Sequence, residues 1–492
     1  MTKTLHKPDL PPGAIVERFD DGGALRNDGV KLTPAAQNPW YVLATVAGEQ
    51  EARNLHHVDH KLRARNCRFW NGWMCQDLDP AARAEIAERM GLQPGDLAPL
   101  SEDEMKAVRQ RFTAAFSDSE PEDVMPNPSD VVDFQKTYFP SIVVLGKCHF
   151  NRRAVFQETH FAGTAYFRDS HFTEDANFQA VHFTGSADFL NAHFAISANF
   201  REAHFAGRAV FQKAHLGENT SFREAHFGES ASFRKVHFAE AAVFQAVHFN
   251  GSADFLKAHI AMDANFREAH FAGSAFFREA QFDLIADFSD GCFKSKTVFD
   301  GTDFKGRVPK FFHRQMHQDT SFTDDPALWP QVTKDNAKDG KRAYTRLRQV
   351  AAEIYDPDLE HFFLRQEMRC KEHLAPRFDK LFFRAYRLIS EYGISVARPV
   401  VGLALTIGVG WPFIASFLKY GQGGTGGAPI WEGLGISFGN TLPFLGLVRK
   451  MHPDFYKQAP AWLDALSGVQ SVAGILLIFF LGLGLRNRFR LK

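Results

Sequence analysis

Apolar positions return on a fixed beat between residues 132 and 304. From Phe134 the beat alternates five and six residues, through Phe139, Leu145, Phe150, Phe156, Phe161 and Phe167. It runs on to Phe293, Phe299 and Phe304, with Leu216 and Ile260 as apolar substitutes. Two residues before nearly every beat stands a small or β-branched residue, as in Ala154-Val155-Phe156 and Ala264-Asn265-Phe266. In extended backbone, residues i and i−2 face the same side. Each such pair therefore points inward together, and the residue between them points out. Helical-hairpin and propeller repeats need roughly 30 to 50 residues per unit. A period this short demands a solenoid of short strands and turns, each coil stacked on the last. Thirty-two beats fill eight four-sided coils of 22 residues, a rod of about 38 Å at about 4.8 Å per coil. An 11-residue period also suits a right-handed coiled coil, but a helix would not select Gly, Ser-Ala pairs and almost no Leu.

The small-x-Phe unit followed by two variable positions resembles the pentapeptide-repeat family, whose consensus is a small residue, Asp/Asn, Leu/Phe and two variable places. The resemblance covers about a third of the chain and implies a right-handed quadrilateral β-helix. The extra residue in every second unit departs from the standard coil and is similar to the Phe-rich, 11-residue subgroup, so one turn in two should be wider. One use of such rods in that family is DNA mimicry, which needs a strongly acidic surface. Here residues 148–304 hold 14 basic and 19 acidic residues, a net of −5 spread over a large rod. Neither mimicry nor nucleic-acid binding is expected.

Histidine recurs at every eleventh position, one place before an inward beat: His149, His160, His171, His182, His193, His204, His215, His226, His237, His248, His259 and His270. Gln281, Cys292 and Asp303 then take the same slot. These side chains should face outward. Two such intervals make one coil, so alternate histidines fall on opposite sides, giving two columns of six. Three chemistries suit such columns. Neutral imidazoles can stack and hydrogen-bond as a ladder. Protonation of neighbours would repel, which depresses the folded-state pKa and makes acid destabilising. Transition metals bind imidazole, but a flat column offers poor tetrahedral closure. His56, His57 and His60 near Cys67 and Cys75 match no zinc spacing either. The repeat opens no cleft, and the chain lacks a nucleophile with base, a phosphate loop or paired catalytic carboxylates. No metal, cofactor or enzymatic activity is expected.

Residues 1–130 read as a polar arm, to about residue 35, followed by a small α/β cap. Its elements are a strand at 38–44, a buried turn or strand at 67–75, a helix opening at Pro80 and another at Ser101. Ser101-Glu102-Asp103-Glu104 is a capping box. An uncovered solenoid end is a sticky strand edge, so a cap is what the rod requires. Residues 131–304 form the β-helix and 305–338 a polar connector. Residues 339–398 read as cytoplasmic helices, the last from Phe378 to about Ser395, with Phe362, Phe363, Phe382, Phe383 and Tyr386 as the core of a helical hairpin. Five scattered cysteines fit reduced thiols. The N-terminus has no signal-peptide core, and 57 basic residues balance 57 acidic ones.

The remainder, 399–492, reads as a two-span membrane module. Residues 399–418 are free of charge and span about 30 Å as a helix. Residues 469–485 are a second apolar run. Lys380, Arg384, Arg387 and Arg398 precede the first span, and Arg486, Arg488, Arg490 and Lys492 follow the second. The positive-inside rule then puts both termini in the cytoplasm, with 419–465 as the outer loop. That loop holds a Gly-rich run at 421–427 and an apolar segment at 431–448 containing Asn440, Thr441 and Pro443. The order of span, short apolar segment and span resembles two-span cation channels, yet no Thr-Val-Gly-Tyr-Gly-like filter is present; an interfacial helix is the other reading. The carboxyl half is also similar to the membrane module that follows Phe-rich pentapeptide repeats in bacterial proteins. Two functions are expected from these features. One is a membrane-anchored scaffold or protein-interaction module, its partners being the lipid bilayer and an unknown protein. The alternative is a channel-like pore, a homo-oligomer with the rod as assembly or sensing domain. Ser467, Gly468, Ser471 and Gly474 suit close helix packing in either.

Overall fold

The computed structural model describes residues 13–50, 58–420, 429–445 and 448–489. His56, His57, the Gly-rich run 421–427, Arg490 and Lys492 lie outside them. The chain divides into two compact units, one up to residue 331 together with 346–359, the other 332–345 together with 360 onward.

In the first unit, residues 132–322 wind as a four-sided β-solenoid. Each short strand pairs in parallel with its counterpart one coil further on, as His149 with His171 and Ala165 with Ala187. One side stacks nine strands, so the coil makes about nine turns. Inside, the rings lie in files: Phe134, Phe156, Phe178 and Phe200 follow at centroid distances of 4.6 to 4.9 Å, within 14° of parallel. Rings from opposite sides meet edge to face across the middle of the coil, as Phe167 and Phe178 do at 5.5 Å and 89°. Both are favourable geometries for aromatic quadrupoles. The turns alternate as expected. In each five-residue interval the second residue after the ring is left-handed, in an unbroken series of fifteen positions from Lys136 to Asp290 with φ between 51° and 62°. Not one of them is glycine, although an L side chain there costs roughly 1–2 kcal/mol. The amide of each donates to the next coil, as Glu158 N to Gln179 O at 3.0 Å. In the six-residue intervals the backbones of successive coils approach so closely that a Cβ on Gly185 would meet the Gly163 carbonyl carbon at 2.5 Å.

The N-terminal segment corrects two expectations. Residues 13–35 are no loose arm. They contain β1 (Ile15–Arg18), β2 (Ala24–Arg26) and β3 (Lys31–Pro34), a meander whose last strand pairs with residues 137–138 and prolongs one solenoid sheet. Ala24 and Leu32 face inward onto Tyr138. Residues 38–44 and 67–75 are helical, not extended. In α1 (Pro39–Ala44), Asn38 caps the Trp40 and Tyr41 amides and Pro39 takes the first turn, a local signal stronger than the aromatic content. Asp59 caps α2 (His60–Met74) in the same way. α3 (Pro80–Met90) and α4 (Glu102–Ala115) start where expected, the latter with its capping box formed. A single turn, α5 (Pro121–Val124), leads into the coil.

Both ends of the solenoid are closed by side chains. Trp70 is fully buried with its ring 5.0 Å from Phe150, and its indole N–H donates to His149 O at 2.8 Å. Asn71 donates to Lys147 O and accepts from His149 N, so one amide supplies both bonds of the missing neighbour strand. At the far end the coil outlasts the expected boundary at Phe304. Phe311 stacks on Phe288 and Phe322 on Phe299, and Trp329 lies tilted against Phe304 at 5.3 Å. The fourth file ends on Arg314, whose guanidinium lies 4.1 Å from the Phe293 centroid and donates to the carbonyls of Phe288, Asp290 and Ala269. What reads as a polar connector is the end of the coil.

The remaining helices are α6 (Ala337–Glu353), α7 (Pro357–Leu374), α8 (Arg377–Ser390), α9 (Ala397–Tyr420), α10 (Pro429–Thr441), α11 (Val448–Met451), α12 (Pro453–Gln458) and α13 (Ala461–Phe489). α9 and α13 are long and apolar enough to cross a membrane. Phe362 and Phe363 are core residues as expected, but Phe382 is solvent-exposed and Phe383 and Tyr386 are half-buried. α8 ends at Ser390, five residues early, because Glu391 and Tyr392 turn left-handed. Gly474 is a true contact position, since a Cβ there would lie 1.7 Å from Thr441 O. Gly468 faces open space.

The left-handed series gives a test. Ala246 has φ 53°, so Ala246→Val should be about 1–2 kcal/mol less stable than Ala246→Gly in urea denaturation; equal midpoints would show that the turn relaxes.

Candidate functional site

The histidines form two columns on opposite sides of the coil. One holds His149, His171, His193, His215, His237 and His259, the other His160, His182, His204, His226, His248 and His270. In the second column the rings from His182 to His270 stack at 4.6 to 4.9 Å, within 11° of parallel. The first column breaks between His215 and His237, which meet at 87°.

These rings point away from the phenylalanine files, but the first ones are not at the surface. The N-terminal segment folds over them, so His149, His160, His171 and His182 are all buried. Gly13 lies against the His182 ring, where a Cβ would overlap it. Arg89 of α3 reaches His171 Nε2 at 3.2 Å, and His171 Nδ1 is 3.1 Å from His149 Nδ1. Thr184 Oγ1 lies 3.1 Å from His160 Nε2. Further along, His259 meets Asp283 at 2.8 Å and His270 meets Cys292 at 3.3 Å.

Burial governs the proton chemistry. Loss of solvent holds His149 and His160 down to about 4, with Arg89 beside the first and Arg26 and Arg18 beside the second adding to the effect. His171 and His182 fall to about 2, mainly by desolvation. His149, His193 and Arg89 surround the first, and Arg26, His204 and His160 the second. His193 and His204 sit near 4 for the same reasons, and His226, His237, His248 and His270 are lowered chiefly by burial. Among the described residues, no three His, Cys, Asp or Glu side chains converge as a metal site.

Between α3 and the first column runs a cleft of about 890 Å³. Arg89, Lys147, Lys213 and Lys235 line it against Glu88 and Asp169. The sequence pattern does not reveal it, because it depends on where α3 lies across the coil.

Asn440, Thr441 and Pro443 belong to a second polar region. Asn440 and Thr441 are buried at the end of α10, and Pro443 opens the following turn. Asn440 donates to Ser467 Oγ at 3.0 Å and accepts from the Tyr456 hydroxyl, while Ser471 donates to its carbonyl. Gln470 donates to Ser437 Oγ and Thr406 O, and Ser437 to Ile407 O. These bonds tie α9, α10 and α13 through side chains rather than through apolar contact alone. Asn440, Pro443, Tyr456, Asp464, Ser467 and Ser471 border a cavity of about 770 Å³. Thr441 does not; its hydroxyl donates to Ser437 O inside the helix. Gln470 and Ser437 were not anticipated, though a lone Gln in an apolar run was a readable signal.

A family model described as pentapeptide repeats (9 copies) matches residues 134–182, 178–225, 211–259 and 222–269. No curated protein and no solved structure is detectably similar to the chain. The coil is a pentapeptide-repeat β-solenoid.

The histidine values fix the sign of a pH effect. A folded pKa below the ordinary 6.5 means the native state excludes the proton that the unfolded chain accepts. Stability is then full above about 6.5 and falls as pH drops toward 4. At pH 5 each of the four buried histidines should cost on the order of 2 kcal/mol. The urea midpoint should drop between pH 7.5 and 5, and His171→Gln with His182→Gln should flatten that drop. An unchanged midpoint in the wild-type protein would refute the assignment.

Proposed function

We propose that the protein is a membrane-anchored scaffold of the bacterial inner membrane. In this reading α9 and α13 cross the bilayer, both termini face the cytoplasm, and the pentapeptide-repeat solenoid presents an interaction surface to a protein partner. The observation that carries it is the outer face of the two apolar helices. Val400, Val401, Leu405, Val409 and Phe413 on α9, with Val469, Val472, Ile475, Leu476 and Phe479 on α13, are between 48 and 66% exposed. Ten large apolar side chains left bare in water would be an aggregation liability; in lipid they are solvated. Arg398 before one span, and Arg486 and Arg488 after the other, favour the orientation. A coil filled end to end by rings has no room for a reaction cavity, which supports a binding role rather than a catalytic one.

The cavity beside Asn440 favours a second reading, a pore built by several copies of the chain. Polar side chains inside an apolar helical module commonly mark a solute path, and Asp464 at its edge would select for cations.

Three measurements test these, the first two the membrane placement and the third scaffold against pore. The chain should stay in membranes through alkaline carbonate extraction, and a cysteine placed in 421–427 should react with an impermeant maleimide from the outer side only. Release by carbonate would remove the membrane reading. In liposomes the scaffold passes no ions; a flux that Asn440→Ala or Asp464→Asn changes at least threefold would replace it with the pore.

A further inference from the structure

Anchoring alone does not require the form that α8 takes. Phe378, Leu381, Phe382 and Leu388 make one apolar stripe along it at helical spacing, and it is bare, with Phe378 72% and Leu388 77% exposed. On another face Tyr386 packs against Phe480 of α13, with centroids 5.5 Å apart. The turn after α8 is pinned to the same helix end, since Asn487 donates to Gly393 O at 2.8 Å. The bare stripe therefore lies level with the basic ends of both apolar helices.

Beside the stripe is a cavity of about 420 Å³. Arg365 and Arg369 of α7, Arg384 and Arg387 of α8, and Arg398 of α9 surround it together with Glu391. Glu391 pairs with Arg398 at 3.5 Å. The buried Glu372 sits 3.6 Å from Arg384 and 3.5 Å from Arg387, and also accepts from the Tyr392 hydroxyl. Two carboxylates thus face five guanidiniums. Arg369 reaches only the Gln366 amide oxygen, and neither it nor Arg365 has a carboxylate partner among the described residues. Three positive charges are left over in a concave site.

We propose that this pocket binds the phosphate of an anionic phospholipid, while the apolar stripe of α8 lies in the acyl boundary of the same leaflet. The proposal rests on the membrane reading above. Guanidinium pairs suit phosphate oxygens through parallel N–H donors, and an interfacial helix combines an apolar stripe with a basic border. A zwitterionic lipid carries its own ammonium, so the surplus charge selects lipids with a net negative headgroup.

The test is native mass spectrometry of the full chain in detergent, titrated separately with phosphatidylglycerol, phosphatidylcholine and glycerol phosphate. The wild-type protein should retain phosphatidylglycerol in preference to phosphatidylcholine, and millimolar glycerol phosphate should not displace it. Arg365→Gln with Arg369→Gln should weaken phosphatidylglycerol about thirtyfold, roughly fivefold per charge, and leave phosphatidylcholine unchanged. This pair spares the contacts of Glu372. Leu381→Ser with Phe382→Ser should weaken both lipids, because it removes the seat and not the charge. Equal retention of the two lipids by the wild-type protein, or an unaltered double-arginine variant, would overturn the proposal while leaving the anchor standing. Glycerol phosphate binding as tightly as the lipid would make the pocket a soluble-anion site and overturn the lipid assignment. Release of the wild-type chain by carbonate would overturn both readings.

Discussion

The coil depends on one match of lengths. Parallel strands stack at about 4.8 Å, and flat aromatic rings carried by those strands meet at nearly the same distance, 4.4 to 5.5 Å along the files. Each ring therefore touches the one above and the one below without tilting its backbone. The alanine two places earlier leaves the space that the neighbouring side's rings enter edge-on. Dispersion between such rings is small per atom pair and large over a file of eight or nine. Leu216 and Ile260 show that a file survives an aliphatic member, because the alternate contact from the adjacent side persists.

A file of rings has to end, and the ends explain the rest of the first unit. Water against the last ring and an unpaired strand edge are both costly. Trp70 covers one file and Asn71 completes the backbone ladder beside it. At the opposite end Trp329 widens the last contact, and Arg314 lays a planar cation over Phe293 while feeding several carbonyls. The helices of the N-terminal segment are therefore organised by the coil they close. Burial of the first histidines follows from the same closure, as does their reluctance to take a proton.

The period, the four sides and the paired histidine columns were legible because each is a one-dimensional pattern repeated many times. Positions that occur once were harder. Residues 38–44 carry strand-like side chains, yet Asn38 and Pro39 decide for helix by satisfying free amides. Arg314 looks like a surface charge until the chain bends it onto a ring. Phe382 suits a hairpin core by composition, yet on α8 it is left exposed while Tyr386 is the residue that packs against Phe480. The left-handed turn positions hold Lys, Glu, Asp, Asn and Ala, residues that give no hint of a positive φ. Of the polar module, Asn440 and Pro443 were found by their place in an apolar run, whereas Tyr456 and Asp464 enter from chain that reads as loop. The arginine pocket draws on three helices and has no linear signature.

The eleven-residue half-turn makes the coil a two-fold screw. Advancing by one half-turn carries each wall onto the wall opposite, so the two histidine columns are one motif viewed from both sides. Deleting one whole coil would shorten the rod and leave every downstream face where it was. Deleting half a coil would also preserve all stacking, yet it would rotate everything beyond it by half a circle. Such a deletion would exchange one wall of the rod for its opposite in a single step, with every remaining strand still paired to a neighbour.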